Sequence, residues 1–285
     1  MALALPPDLK TRTPLRGPWR CVFNLFIGRR FVYLTTRQRL VRRYSSTLLG
    51  YGWLIVQPLI FLIAIGVIRV AVFEKSWPAP TGGSATDAEF LAALFMGLVI
   101  FWSVSEPLSR SPSLLLEFRG IIKNEPLPLD TLVGVVYFEN LIQTFLRFIM
   151  LLVGYTAAMG LPSVHAFALP LIILPLFIGG MGLAWIFSRI GLYHRDLEQI
   201  LPPVFSALFF VSAVFFPLSS IDEPARSIFA LNPIAFTIDS ARNALLWHQW
   251  PDWEALGILT LLSALLMWLG WLLFDDRRGK YVDAL

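Results

Sequence analysis

Six stretches of this chain run for nineteen residues or more with at most two charges in each: about Leu48–Phe73, Phe90–Leu108, Thr131–Leu161, Ala166–Ile190, Ile200–Leu218 and Leu256–Phe274. A helix needs about 20 apolar residues to cross the roughly 30 Å hydrocarbon core. Because hydrocarbon offers the backbone no hydrogen-bond partner, only helices and closed barrels span it. The ten-residue alternating segments of a barrel are absent, so the expected fold class is an all-α integral membrane protein with six transmembrane helices. Composition agrees: 56% hydrophobic residues, 15% charged residues and a mean hydropathy of +0.68 lie outside the range of soluble domains. The third stretch is longer than one crossing requires, which predicts a kink, a tilt or an extension beyond the membrane.

The basic residues orient these spans. Residues 1–47 carry ten Lys and Arg, the 109–130 loop three, the 189–199 region two and the tail after Asp275 three. The opposite loops hold only Lys75, Arg226 and Arg242, among many acidic residues. The positive-inside rule then puts both termini in the cytoplasm. The expected organisation is a cytoplasmic amino-terminal segment over 1–47, a six-helix membrane domain over 48–274 and a cytoplasmic tail over 275–285. The net charge of +4 is concentrated beside spans rather than on a separate domain, which favours anionic lipid headgroups over nucleic acid as its partner. A single cysteine, Cys21, excludes a disulfide within the chain and any CxxC metal or redox pair. The first 45 residues hold no apolar core followed by a small-residue cleavage site, so the first span is expected to lead insertion.

Three segments outside the spans carry a pattern. Residues 29–46, RRFVYLTTRQRLVRRYSS, place Tyr33, Leu34, Leu40, Val41 and Tyr44 on one helical arc with arginines around the rest, which predicts an amphipathic helix lying in the membrane interface. Ser113–Lys123 reads as a short helix with Leu114, Leu115, Phe118 and Ile122 on one face, ended by the following prolines. Between the fifth and sixth spans, Thr237–Trp247 reads as a helix after the Asn232–Pro233 break, with Ile238, Ala241, Leu245 and Leu246 on its apolar face. It is either a re-entrant element shielded by protein or an interfacial cap held by Trp247, Trp250 and Trp253. Arg69, Glu139 and Arg147 fall within or near spans, where ionisable residues commonly face a bundle interior or an aqueous path.

Four groups of residues, in order, carry a resemblance. The first is Arg42-Arg43-Tyr44 followed by Leu48-Leu49-Gly50-Tyr51-Gly52-Trp53 and Gln57-Pro58-Leu59. The second is Phe101-Trp102-Ser103 with Ser105-Glu106, then Ser109-Arg110, Gly120-Ile121-Ile122-Lys123, Pro126 and Pro128. Tyr193-His194-Arg195-Asp196-Leu197, Leu201-Pro202 and Phe215-Phe216-Pro217 form the third, and Asn232-Pro233-Ile234-Ala235 with Asp239 to Leu246 the fourth. Together they resemble the membrane subunit of type-2 ABC exporters, in particular the polysaccharide, O-antigen and teichoic acid export permeases, from about residue 29 to the end. The loop Asn124-Glu125-Pro126-Leu127-Pro128 departs from that pattern in lacking an aromatic beside its proline.

The resemblance implies a homodimer that exports a lipid-linked polysaccharide and is driven by two copies of a separate ATPase. The chain has no G-x-x-x-x-G-K-[ST] phosphate loop, so ATP and magnesium are expected on that partner and no catalytic or metal site on this one. Expected contacts with the ATPase are Arg119, Gly120 and Lys123 in the second cytoplasmic segment and Arg195 and Asp196 at the foot of the fifth span. Adjacent residues on a helix diverge by about 100°, so Arg195 and Asp196 are expected to pair with other helix ends rather than with each other. Channel or gate candidates are Trp53, Phe61, Phe101, Trp102, Glu106, Tyr137, Phe138, Asn232 and Pro233, because aromatic rings stack on the apolar faces of sugars. Two rivals remain on the sequence: an exporter of drugs or lipids, and a polyprenyl-phosphate glycosyltransferase, for which Asp275-Asp276 is the nearest approach to an acidic metal motif.

Overall fold

Proline and glycine set where the apolar runs begin, bend and end. The computed structural model describes residues 28–45, 47–72, 78–79, 83–124 and 129–275. Helix α1 (Arg29–Ser45) turns sharply through Gly50, which has φ of 52°, into α2 (Trp53–Val72), and the two axes meet at 93°. A two-residue antiparallel ribbon, β1 (Pro78–Ala79) with β2 (Gly83–Ser84), leads to α3 (Asp87–Arg110). The side chain of Arg69, singled out within the first span, lies outside the described residues.

Helix α3 is the central post. It starts at a capping box in which Thr86 Oγ1 accepts from the Glu89 amide and the Glu89 carboxylate accepts from the Thr86 amide. Phe90 and most residues from Ala92 to Leu108 are buried. Pro107 has no N–H for the carbonyl of Ser103, and Asn140 Nδ2 donates to that oxygen instead at 2.7 Å. Asn140 stands on α6 (Asp130–Met159), an unbroken helix of 30 residues, about 45 Å long. Of the kink, tilt or extension expected here, α6 has no proline kink and is longer than the core is thick.

Between α3 and α6, the expected single helix over 113–123 is two: α4 (Leu114–Glu117) and α5 (Arg119–Asn124), parted at Phe118. The amide of Phe118 closes on Leu114 O at 3.2 Å, and its backbone leaves helical geometry at φ −94°, ψ 11°. The anticipated face is kept, since Leu114, Leu115, Phe118 and Ile122 are all buried.

Helix α1 packs on α6, and here the expected arc is corrected. Its buried face is Phe31, Val32, Thr35, Thr36, Leu40 and Tyr44, while Tyr33 and Val41 are exposed. The ridge Val32–Thr36–Leu40–Tyr44 has the i, i+4 spacing of helix-on-helix contact. Threonine suits this protein-facing side because its hydroxyl finds a backbone acceptor: Thr36 Oγ1 donates to Val135 O at 3.2 Å.

Helix α7 (Leu169–Tyr193), entered through a 3-10 turn at Val164–Ala168, pairs closely with α11 (Trp253–Asp275). The seam is made of small residues: a side chain on Gly270 would meet Gly182 O, one on Gly182 would meet Leu266 O, and Gly179 faces Ser263. Small residues let helix backbones approach where lipid supplies no hydrophobic drive for association. At the end where α3 finishes, here called basal, Gly191 lies against Pro112 and Ser188 Oγ donates to Ser111 O at 2.9 Å.

The fifth expected span, Ile200–Leu218, is corrected to a shorter helix. Helix α8 (Leu197–Val211) has 15 residues, about 22 Å, and the chain turns at Ser212 through Ala213, whose φ is 54°. After α9 (Ala225–Ala230), α10 (Pro233–Leu245) begins four residues earlier than expected and ends two earlier. Asn232 caps it, its Oδ1 accepting from the Ile234 amide at 3.0 Å, and Pro233 fills the first helical position, where no N–H is needed. Nine of its thirteen residues are buried against α3 and α7, so α10 is an element of the bundle rather than a surface cap. Among the described residues, four helices are long and apolar enough to cross a membrane, the bent α1–α2 pair adds a fifth candidate, and α8 is apolar but short.

Candidate functional site

At the basal end a single carboxylate gathers three arginines from two helices, α1 and α3. Glu139, on α6, is 1% exposed; Arg39 Nε donates to its Oε2 at 3.0 Å, and Arg110 and Arg43 Nη1 approach its Oε1 at 3.0 and 3.4 Å. Arg39 also donates to Glu117 Oε1 at 2.6 Å and lies over the Phe118 ring at 5.3 Å. Burial opposes the charge on Arg39, but the hydrogen bond and charge of Glu117 and the charge of Glu139 outweigh it and raise its pKa above the ordinary arginine value. The knot thus links α1 (Arg39, Arg43), the foot of α3 (Arg110), the elbow helix α4 (Glu117) and α6. Any displacement of the elbow is felt through charged hydrogen bonds, the strong kind.

The residues expected to meet a partner stand outside this knot. Arg119, Gly120 and Lys123 on α5 are exposed, as are Arg195 and Asp196 in the turn before α8. Arg195 and Asp196 make no ion pair with a described residue; their carbonyls accept from the amides of Glu198, Gln199 and Ile200. The expected bracing of the fifth span by these two side chains is therefore absent among the described residues, and Glu139 does the bracing of the basal end.

The channel candidates separate into several places. Phe61 and Trp102 meet edge to face at 5.6 Å, and Arg147 lies over the Trp102 ring at 5.1 Å while donating to Glu106 Oε1 at 2.6 Å. Trp53, at the start of α2, is 38% exposed and outside that cluster. Phe101 points the other way, into an aromatic group with Phe209, 4.9 Å between centroids, that continues to Phe215. Tyr137 and Phe138 line neither; they face a groove between α6 and α7, on a different side of α6 from Glu106 and Arg147. Glu139 and Arg147 do not pair, as their spacing required, and each has its own partners on other helices.

At the opposite, apical end, Arg242 is fully buried and spreads its guanidinium over four carbonyls. Nε donates to Ala93 O at 3.0 Å, Nη1 to Ala213 O at 2.8 Å and Phe216 O at 3.3 Å, and Nη2 to Val214 O at 2.6 Å. The turn that ends α8 leaves the carbonyls of Ala213, Val214 and Phe216 outside any helix, and burial obliges them to find donors, while Ala93 O ties the arginine to α3. Asn232 Nδ2, at 3.1 Å from Ser212 Oγ, ties the same turn to the start of α10. Gly97 on α3 makes room, since a side chain there would come within 2.9 Å of Arg242 Nη2. Asn232 and Pro233 thus stand at the start of α10, beside the apical turn. The sequence reading missed Arg242 as an interior residue, counting it only among loop charges; the available sign was its place on the apolar face of α10, four residues after Ile238.

Among the described residues, no three or more His, Cys, Asp or Glu side chains converge as metal ligands do. Relatives with known names share most of the length. The chain is 26% identical over 268 residues to the O-antigen export system permease protein RfbA of Myxococcus xanthus, covering 93% of this chain and 99% of that protein. It is 24% identical to the polysialic acid transport protein KpsM of Escherichia coli over 85% of this chain and 91% of that protein. It is 25% identical to the O-antigen export permease RfbA of Klebsiella pneumoniae over 88% of this chain and 93% of that one. Residues 29–246, from the first turn of α1 to the end of α10, match the ABC-2 type transporter family, and the chain belongs to that family.

Proposed function

We propose that this chain is the permease subunit of an ATP-driven exporter that carries a lipid-linked polysaccharide across the cytoplasmic membrane. The observation that carries the reading is the near full-length similarity to permeases named for O-antigen export and to a polysialic acid transport protein. The distribution of lysine and arginine supports a basal end in the cytoplasm, with residues 1–47 and 275–285 on that side. Six crossings follow if α2, α3, α6, α7 and α11 each span and the short α8 is completed at the apical end by the re-entrant α10.

Two copies of the chain would enclose the path, with two copies of an ATPase below holding ATP and magnesium. The exposed α5, through Arg119, Gly120 and Lys123, and the turn at Arg195 and Asp196 are the surfaces offered to it. Closure of the ATPases then presses on α5 and α4, and Glu117 and Arg39 pass the displacement to Glu139 and so to α6. Phe61 and Trp102 offer ring faces to the sugar, with Glu106 and Arg147 beside them as hydrogen-bonding groups.

Deletion of the gene tests the reading. Surface polysaccharide should vanish while lipid-linked glycan accumulates on the cytoplasmic side, and the wild-type gene should restore export. An unchanged glycan coat, with ATPase activity of the purified complex stimulated by small amphiphiles alone, would establish the drug or lipid exporter instead.

A further inference from the structure

A groove of about 1080 Å³ runs between α6 and α7, and the first turn of α1 lies across its basal mouth. Pockets for small molecules occupy roughly 300 to 1,000 Å³, so this groove has room for a lipid. Its walls are hydrocarbon and ring: Leu141, Phe145 and Phe148 on one side, Ile173, Leu174 and Phe177 on the other. Gly134 and Leu152, at its two ends on α6, are eighteen residues apart, about 27 Å.

The apolar lining is broken by Arg29, Arg30 and Tyr33 on α1 and by Tyr137 and Thr144 on α6. Arg29 and Arg30, exposed, stand at the mouth. Tyr137, one turn beyond Gly134, is 5% exposed and lines the groove, and its hydroxyl has no hydrogen-bond partner among the described residues. The oxygen fills the space left by the missing side chain of Gly180, which fixes the ring. Packed there and closed to the groove, the hydroxyl offers a ligand nothing, so the polar groups a ligand meets are the exposed arginines at the mouth.

We propose that the groove seats an anionic glycerophospholipid. Its phosphate lies at Arg29 and Arg30, and its chains run along the aromatic wall. A chain reaching the middle of the roughly 30 Å core fills the groove from Gly134 to about Phe145, the half that α1 roofs. The proposal rests on the orientation given above, which sets Arg29 and Arg30 among the anionic headgroups of the cytoplasmic leaflet. The lipid is then a third partner in the α1–α6 contact, two turns from the Glu139 knot.

The test is lipid retention by the full-length permease with its ATPase, equilibrated in mixed micelles of phosphatidylglycerol and phosphatidylcholine, desalted and measured by native mass spectrometry. The wild type should keep about one phosphatidylglycerol per chain in preference to phosphatidylcholine. The double variant Arg29→Ala/Arg30→Ala should lose that preference, binding phosphatidylglycerol roughly tenfold more weakly. Leu174→Trp, which narrows the groove at an exposed position, should lower retention of both lipids severalfold without touching the arginines. Equal retention of the two lipids by the wild type, undiminished phosphatidylglycerol in the arginine variant, or a glycan carrier as the retained lipid would each overturn the proposal. The measurement needs no export, so its failure leaves the polysaccharide reading standing.

Discussion

Replacing Glu139 with Gln keeps the shape of the basal knot and removes its only fully buried charge. A charge pair at about 4 Å is worth about 4 kcal/mol at an effective dielectric of 20 and about 1 kcal/mol in water. Arg43 and Arg110, 50% and 40% exposed, belong near the water limit, whereas Arg39, 14% exposed, belongs nearer the other and keeps Glu117. The charges left facing one another add repulsion, and the total loss is about 3–5 kcal/mol, as for breaking one side of a buried ion pair. For a chain of this size that is a fall in melting temperature of about 5–15 °C, read by a thermal unfolding assay in detergent. Glu117→Gln, at a residue 51% exposed, is the control and should lose less than about 1 kcal/mol. Arg39→Met combined with Glu139→Gln should cost less than the two apart, because they share the interaction. If Glu139→Gln melts with the wild type and exports normally, the knot neither braces the basal end nor transmits the motor's stroke.

The apical staple predicts that Arg242→Met, similar in length but without donors, leaves the carbonyls of Ala213, Val214 and Phe216 unpartnered and costs about 3 kcal/mol or more; hydrogen exchange should quicken over residues 212–221 while the basal helices keep their protection. Gly270→Ala should loosen the α7–α11 seam, since the added methyl meets the Gly182 carbonyl, and should lower the melting temperature by several degrees. Asp196→Ala should leave the melting temperature unchanged, the side chain being exposed, yet weaken capture of the partner ATPase and reduce export; full export would make the turn no more than a topology signal. Asn140→Ala should unpair the Ser103 carbonyl and cost about 1–3 kcal/mol, seen as a lower unfolding midpoint.

Long apolar runs were legible because hydrocarbon imposes a length, and α3, α6, α7 and α11 all sit within a few residues of the expected bounds. The end of α8 was not, because Ala213-Val214-Phe215-Phe216 is as apolar as the helix before it and hydropathy does not register a positive φ. What closes that turn, Arg242, comes from 26 to 29 residues further on. The face of α1 was misread for a related reason: an interface helix and a helix docked on protein both carry apolar residues at i, i+4, but only the second buries threonines. Glu139 stood out as a charge within a span, yet its partners lie 100, 96 and 29 residues away, a convergence that only the fold discloses. The separation of Phe101, Trp102 and Tyr137 onto three sides of the bundle follows from helical geometry that a list of aromatics does not contain.

The brevity of α8 bears on how such a wall can open. About 22 Å of helix is less than the hydrocarbon thickness, and the turn that ends it is tied by one guanidinium and one asparagine to α10, a separate block buried against α3 and α7. A continuous helix would have to slide or tilt as a whole to admit cargo. A two-piece wall can part at its joint while the lower piece stays seated, and the joint between these two pieces is a handful of hydrogen bonds rather than the buried area of an entire span.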